Sequence, residues 1–278
     1  MPIFRTLVEL NQSRKNYLGS SCGLVPTMGA LHQGHLELIE TAFVENDTVW
    51  VTIFVNPTQF NNSNDLENYP KTLKADIESI HRISPKINIF APTISEMYPQ
   101  KAAANTYAFN GLDAVMEGAD RLGHFNGVIT IVSKLFNAVQ PHRAYFGEKD
   151  FQQLQIIKNW VNTNAIPIEI VACRIVREPN GLAMSSRNEL LSEKARKEAG
   201  FMYDTLKHCV ATKKTKAEII GEIQAAFTSH PTFTLHYALC VDETTLQEVS
   251  EIDKSQDQRI FIAASVEGVR LIDNIALK

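Results

Sequence analysis

At 278 residues, with 44% hydrophobic and 21% charged side chains, the chain is long enough for two domains with a real core and has the balance of a soluble globular protein. Its net charge of −4 argues against a general nucleic-acid binder, although a local basic pocket could sit inside that total. No charged-then-apolar leader opens the chain and no apolar run approaches the roughly 20 residues of a membrane helix, so no membrane partner is expected.

Residues 4–18 carry Leu7, Leu10, Arg14 and Leu18 at helical intervals and predict an N-terminal helix. Gly23-Leu24-Val25 reads as a short buried strand. Beyond it, Leu36, Leu38, Ile39, Ala42 and Phe43 recur with helical spacing, so a helix starts inside the intervening motif. Asn46-Asp47 is a turn. Residues 48–55 form an apolar, β-branched run with little alternation, the pattern of a strand covered on both faces in a parallel sheet. Residues 58–69, rich in Asn, Asp and Ser, read as a loop at the C-terminal end of that strand, where open α/β sheets bind ligands.

Residues 71–83 predict a helix and 87–90 a strand, which Ala91-Pro92 ends. Pro99, Gly111, Gly118 and Gly123 break any pattern in residues 95–127. A helix over 128–139, a strand at 144–146, a helix over 151–160 and a strand over 168–176 follow. This alternation predicts an α/β fold, a Rossmann-like doubly wound parallel sheet over residues 1–176. Residues 177–188 read as a polar loop, then helical segments cover 192–212 and 217–230, with strands at 233–241, 259–264 and 269–275. Helices grouped before strands predict a smaller α+β domain over residues 177–278. Cys22, Cys173, Cys209 and Cys240 are scattered, without a Cys-x-x-Cys pair, so reduced structural thiols in a cytoplasmic protein are expected.

Three stretches carry chemistry. In Pro26-Thr27-Met28-Gly29-Ala30-Leu31-His32-Gln33-Gly34-His35, a strand, a glycine turn and a helix N-terminus together make an anion site, because unpaired N–H groups and the positive end of the dipole face outward. His32 and His35 share a face and both reach a phosphate there, while Gly34 leaves room for a base or ribose. A P-loop is excluded, since His35-Leu36 stands where Lys and Ser/Thr are required. No third His, Cys or acid lies at regular spacing to make the histidines a metal site.

Gly147-Glu148-Lys149-Asp150-Phe151-Gln152-Gln153 repeats the strand, glycine and helix-start logic. A lysine here meets a polyphosphate and an aspartate holds Mg²⁺ directly or through water; a helix cap with a solvated charge pair reads equally well. In Met184-Ser185-Ser186-Arg187-Asn188, two hydroxyls and a guanidinium suit a phosphate clamp, a reading that the His-x-Gly-His motif of the preceding domain strengthens.

With these stretches the chain resembles the pantothenate synthetase (pantoate–β-alanine ligase) family. That family lies within the nucleotidylyltransferase superfamily, which shares HIGH and KMSKS-like motifs with class I aminoacyl-tRNA synthetases. Besides residues 26–35, the resemblance is carried in order by Phe54-Val55-Asn56-Pro57-Thr58-Gln59-Phe60, Asp65-Leu66-Glu67-Asn68-Tyr69-Pro70 and Phe90-Ala91-Pro92. It continues through Gly123-His124-Phe125-Asn126-Gly127-Val128, residues 146–153 and Gly181-Leu182-Ala183-Met184-Ser185-Ser186-Arg187-Asn188. Residues beyond 188 add almost no motif evidence. Leu122 stands where the family commonly has proline, and Phe60-Asn61-Asn62-Ser63-Asn64 departs from its usual Phe-Gly-x-x-Glu loop, which bears on loop conformation and closure.

The resemblance implies ATP-dependent condensation of pantoate with β-alanine through pantoyl adenylate, releasing diphosphate and AMP. It implies ATP contacts from Met28, Gly29, Ala30, Leu31, His32, Gln33, Gly34 and His35, and from Gly147, Glu148, Lys149, Asp150, Met184, Ser185, Ser186 and Arg187. Val176 offers its backbone to adenine. His32, His35, Lys149 and Arg187 are the implied catalytic residues, with His35 the family's proton donor; Asp150 assists Mg²⁺. Gln59 and Gln153 would bind pantoate, and Gln59 also β-alanine. A homodimer is implied, and the loop after Gln59 and residues 177–188 are the segments expected to close over a water-labile anhydride. Two other readings stand beside this one: a nucleotidyltransferase acting on a phosphorylated acceptor, and a nucleotide-sensing module. Retention of both histidines, Lys149 and Arg187 argues against the second.

Overall fold

The structure is a computed structural model that describes residues 3–17, 19–212 and 215–277. Leu18, which the sequence pattern gives to the first helix, lies outside the described residues. The chain forms two compact units, Met1–Glu148 with Ile156–Cys173, and Lys149–Gln155 with Arg174–Lys278.

Among the described residues, the first unit is built on six strands: β1 (Ile3–Phe4), β2 (Cys22–Thr27), β3 (Thr48–Ile53), β4 (Asn88–Phe90), β5 (Arg143–Gly147) and β6 (Glu169–Cys173). They lie in the order β1-β4-β3-β2-β5-β6, every neighbouring pair parallel. Its helices are α1 (Leu7–Arg14), α2 (Gln33–Glu45), α3 (Ser63–Glu67), α4 (Leu73–Ile83), α5 (Ile94–Met97), α6 (Met116–Asp120) and α7 (His124–Val139); α8 (Phe151–Thr163) begins in the second unit and ends in the first.

The lack of alternation in β3 has its cause here. Val49, Val51 and Ile53 cluster with Val25, Ile39, Ala42 and Ile80 on one face, yet Trp50 and Thr52 at the alternate positions are fully buried as well. Helices cover both sides of the sheet, and each fully buried Leu, Ile or Val contributes roughly 1.5–3 kcal/mol. From β2 the chain winds outward through β3 to β4, and β5 then returns to the other side of β2, with Gly23 opposite Arg143 and Leu24 opposite Ala144. This is the topological switch point, where a Rossmann-like sheet opens a crevice beyond its strand ends. Met28 leaves the end of β2 there, and Glu148 leaves the end of β5.

The second unit has an antiparallel sheet of β7 (Thr234–Asp242), β8 (Gln258–Val266) and β9 (Val269–Ala276), in that order, with helices α9 (Glu193–Glu198), α10 (Phe201–Ala211) and α11 (Lys216–Thr228). Its core is separate, made of Leu206, Ile219, Ile223, Phe227, Ile260, Ile262 and their neighbours.

The structure corrects several element expectations. The first helix stops at Arg14 and gives way to a 3-10 turn over Lys15–Tyr17. Residues 58–69 are not a plain loop: a 3-10 turn, Pro57–Gln59, leads to α3, with Asp65 in its first turn. Proline opening a helical turn and an acid near a helix start both favour this. α7 begins at His124, four residues before the apolar periodicity, because Gly123 at φ +79° turns the chain into it. The helix expected over 192–212 is broken between α9 and α10, where Asn180 Nδ2 donates to the carbonyls of Arg196 and Lys197 at 2.8 and 3.1 Å. β1 carries no readable signal, since two residues at a sheet edge show no period.

Candidate active site

At the end of β2 the backbone makes two successive left-handed residues, Gly29 at φ +83° and Ala30 at φ +51°. Such a turn points consecutive N–H groups at one spot and makes an anion-binding concavity. Here the anion is the protein's own. Asp76 reaches in from α4, 3% exposed, and accepts from Ala30 N–H at 3.1 Å and Leu31 N–H at 2.9 Å. The Thr72 hydroxyl donates to both its oxygens at 3.1 Å. A left-handed alanine costs roughly 1–2 kcal/mol, and charge-assisted hydrogen bonds of about 1.5–3 kcal/mol each offset it. A side chain at Gly29 would press on Asp76 Oδ2 and on Ile53.

The start of α2 is closed in a similar way. His32 is the N-cap residue and its Nδ1 accepts from Gly34 N–H at 3.1 Å, while His35 Nδ1 accepts from His32 N–H at 3.3 Å. The two rings lie 4.0 Å apart at 39°. An imidazole nitrogen that accepts carries no proton, so each neutral ring holds its proton on Nε2. The expectation of unpaired N–H groups at this helix start is therefore corrected. The amides of Gly29, Ala30, Leu31, His32 and Gly34 are bonded to Thr27 Oγ1, Asp76, His35 and His32. The positive end of the α2 dipole thus lies beside two imidazoles whose Nδ1 atoms accept backbone N–H groups.

Gln59 is held on every side in the turn after β3. Asn56, 1% exposed, donates from Nδ2 to Gln59 Oε1 and to the Gly127 carbonyl, both at 3.1 Å, and its Oδ1 accepts from the Tyr98 and Thr58 hydroxyls. Gln59 Nε2 donates to Met28 Sδ at 3.0 Å, which ties this turn to the histidine motif. His124 Nδ1–H donates to the Gln59 carbonyl at 2.7 Å. A side chain at position 127 would overlap Thr58 and Gln59, so glycine lets α7 lie against the turn. Burial pushes the Tyr98 phenol above its usual range, opposed by its bond to Thr58, so it stays a neutral donor.

In the second unit, Lys149 Nζ and Asp150 Oδ1 are 3.4 Å apart. The segment expected to be a polar loop is a hairpin followed by a 3-10 turn. Arg177 and Ala183 form a bridge, and Met184 N–H donates to the Val176 carbonyl at 3.0 Å. Arg177 grips Asp273 of β9 with two bonds of 2.6 and 2.9 Å, and its guanidinium lies 3.4 Å from the centre of the Tyr203 ring. Burial pushes the Asp273 carboxyl above its ordinary value and Arg177 holds it back. Ser185 caps the 3-10 turn Ser186–Leu190, its Oγ accepting Arg187 N–H at 3.2 Å, and buried Asn188 fastens that turn to Glu178 and the Ala183 carbonyl. Asn274, beside Asp273, donates from Nδ2 to the Lys149 carbonyl at 3.1 Å.

The structure thus brings together His32 with His35, Met28 with Gln59, Lys149 with Asp150, and Ser185 with Arg187. Gly147 and Glu148 belong to the first unit, whereas Lys149, Asp150, Gln153, Val176, Met184 and Ser186 belong to the second. Among the described residues, no group of three or more His, Cys, Asp or Glu could hold a metal ion. Sequence reasoning missed Asp76, Asn56, Tyr98, Asp273 and Asn274. One signal was available for two of them: a carboxylate on the apolar face of an amphipathic helix, and one inside the apolar run of a strand, are polar groups that burial must explain.

A sequence model of the family described as Pantoate-beta-alanine ligase matches residues 2–276. The chain is 46% identical over 282 residues to the pantothenate synthetase of Christiangramia forsetii, covering 100% of this chain and 99% of that one. Among solved structures, the pantothenate synthetase of Thermus thermophilus superposes with a TM-score of 0.93 at 38% identity, covering 100% of this chain and 99% of that chain. The pantoate-beta-alanine ligase of Francisella tularensis, complexed with beta-gamma ATP and beta-alanine, gives 0.83 at 34% identity, covering 100% and 98%.

Proposed function

The chain belongs to the pantoate–β-alanine ligase family, and from that premise we infer how its residues divide the reaction. It condenses (R)-pantoate with β-alanine, using ATP, to give pantothenate, AMP and diphosphate. A pantoate carboxylate oxygen attacks the α-phosphorus and the bond to diphosphate breaks, leaving pantoyl adenylate. The β-alanine amine then attacks the acyl carbon, the bond to the AMP oxygen breaks, and the ammonium proton passes to solvent.

Charge develops on the α-phosphoryl group and on departing diphosphate, so the protein's task is positioning and electrostatic stabilisation. The observation that carries our assignment is the reciprocal cap of His32 and His35. With Nδ1 of both rings engaged by backbone, Nε2–H is the group each imidazole can give to a phosphoryl oxygen, and His35 would be the proton donor. Residues 28–35 would form the wall against which ATP lies, with Val176 offering backbone to adenine. Gly147 and Glu148 would lead the chain to Lys149, which with Met184, Ser185, Ser186 and Arg187 would take the phosphates, a compact ammonium and a planar fork serving different oxygens.

Gln59 and Gln153 would read the hydroxyl and carboxylate of pantoate, and Gln59 would also meet β-alanine. Asp150 offers one carboxylate, which suits Mg²⁺ carried in by the nucleotide. Asp150 would hold the ion directly or through water, and the ion would supply positive charge against the charge that develops on the phosphates. Four free cysteines fit a reducing compartment, which supports a cytoplasmic enzyme; no described helix is long and apolar enough to cross a membrane. A homodimer is the assembly the resemblance implies. Diphosphate exchange into ATP tests the reading. It should require pantoate and proceed without β-alanine, and AMP should accumulate only when β-alanine is added. Exchange without pantoate, or a stable nucleotidyl product, would contradict it.

A further inference from the structure

Strand β9 carries no recognisable motif, yet two adjacent side chains on it fasten both phosphate-facing segments of the second unit. Asn274 Nδ2 donates to the carbonyl of Lys149, 125 residues away, at 3.1 Å. Asp273 holds Arg177 through both terminal guanidinium nitrogens at the base of the hairpin that leads to Met184, Ser185, Ser186 and Arg187. The two residues are themselves linked, since the backbone N–H of Asn274 donates to Asp273 Oδ1 at 2.8 Å. Both are buried, at 4% and 2% exposure, in a strand otherwise lined by Leu271 and Ile275. Polar groups in such a place are costly unless every partner is met, so the arrangement fixes a geometry rather than filling space.

We propose that Asp273 and Asn274 are positioning residues for the adenylation step. They hold the Lys149 segment and the segment of Ser185, Ser186 and Arg187 in one frame, so that ammonium, hydroxyls and guanidinium meet the triphosphate in register. This rests on the assignment of those segments to phosphate. A lysine stem is flexible, and what a protein can fix is the Cα from which it starts; the bond to the Lys149 carbonyl does that. The two ends of Asn274 serve different partners. Its Oδ1 accepts from Arg259 Nη1 at 2.6 Å, and Arg259 in turn pairs with Glu243 and stacks on Phe151. Asn274→Asp keeps an acceptor facing Arg259, replaces the donor to Lys149 by a carboxylate oxygen and adds a negative charge.

The test measures two rates on the full-length enzyme: pantoate-dependent diphosphate exchange, and conversion of synthetic pantoyl adenylate with β-alanine. Their ratio does not depend on how much of a variant is folded. N274D should lower that ratio about tenfold to a hundredfold, the effect of a small misplacement of a catalytic group. Asn274→Ala should lower it at least as far. In a Lys149→Ala background N274D should change it no further, because both act through one side chain. A normal ratio in N274D beside a depressed one in K149A would overturn the proposal. So would an equal N274D effect with and without the Lys149 side chain, which would place its action on Arg259. If K149A itself left the ratio unchanged, the phosphate assignment of Lys149 would fall first and the proposal with it.

Discussion

His35 Nδ1 accepts the backbone N–H of His32 at 3.3 Å. The bond is half of a reciprocal cap, so the histidine proposed as proton donor also has a structural role. It separates two roles that a single alanine substitution would merge. His35→Ala should nearly abolish adenylation, a loss of about 3–4 kcal/mol in transition-state stabilisation. It should also lower stability by about 1 kcal/mol through the lost cap. His35→Gln can still reach back to the N-cap amide, as glutamine does in ordinary capping boxes. Its thermal midpoint should match the parent while diphosphate exchange stays near the alanine level. Near-normal exchange in either variant would remove His35 from the chemistry.

Asp76 sets the shape of the same motif from the α4 side. Asp76→Ala strands two backbone N–H groups and leaves the left-handed Ala30 unsupported, so unfolding free energy in denaturant should fall by about 3 kcal/mol. The KM for ATP should rise in the folded enzyme, and the KM for β-alanine should move little. Ala30→Gly relaxes the left-handed strain without touching Asp76 and should leave stability unchanged or slightly higher. Equal damage from Ala30→Gly and Asp76→Ala would mean that the loop is held by something else.

Acid specificity is expected to rest on Gln59 and Gln153. A hydrophobic wall gains only about 1–3 kcal/mol per methylene, so the hydroxyl of pantoate must be read by hydrogen bonds. Gln153→Ala should raise the KM for pantoate and narrow its advantage over the deoxy acid, with ATP binding hardly changed. Gln59 is already fixed by Asn56 and Met28, so Asn56→Ala should mimic Gln59→Ala in the same assay. A Gln153→Ala enzyme whose main loss is in ATP affinity would move the acid pocket elsewhere.

The thiols give a pH prediction with a definite sign. Burial raises Cys22, Cys173 and Cys240 to about 11. Raised values mean that only about one thiol in ten thousand is ionised at pH 7. In the native protein these cysteines should react slowly with a disulfide reagent at neutral pH, faster as pH climbs toward 11, and at once in denaturant. Rapid native labelling of Cys173, the half-buried one, at pH 7 would contradict this environment.

Much of this molecule is legible in the chain because its signals are local. The unbroken apolar run of β3 announces a strand covered on both sides, and the spacing of Leu36, Ile39 and Phe43 announces α2. The histidine and Ser-Ser-Arg motifs are short and contiguous. What stays hidden is long-range pairing of polar groups. Asp76 meets Leu31 across 45 positions and Asn274 meets Lys149 across 125, and neither spacing leaves a period to read. The internal capping of the α2 amides was also hidden, since a histidine serving as N-cap is unusual beside Ser, Thr, Asp and Asn. The α9–α10 break comes from Asn180, a residue outside both helices.

Attack of the pantoate carboxylate on the α-phosphorus leaves an isotopic trace that one labelling measurement reads directly. Pantoate carrying ¹⁸O in its carboxylate is turned over with ATP and β-alanine, and each product is examined by mass spectrometry. The bridging oxygen of pantoyl adenylate leaves with AMP, so AMP should gain one labelled oxygen per turnover while diphosphate gains none. Unlabelled AMP, or label in diphosphate or inorganic phosphate, would show that activation takes place at another phosphorus and would contradict the account.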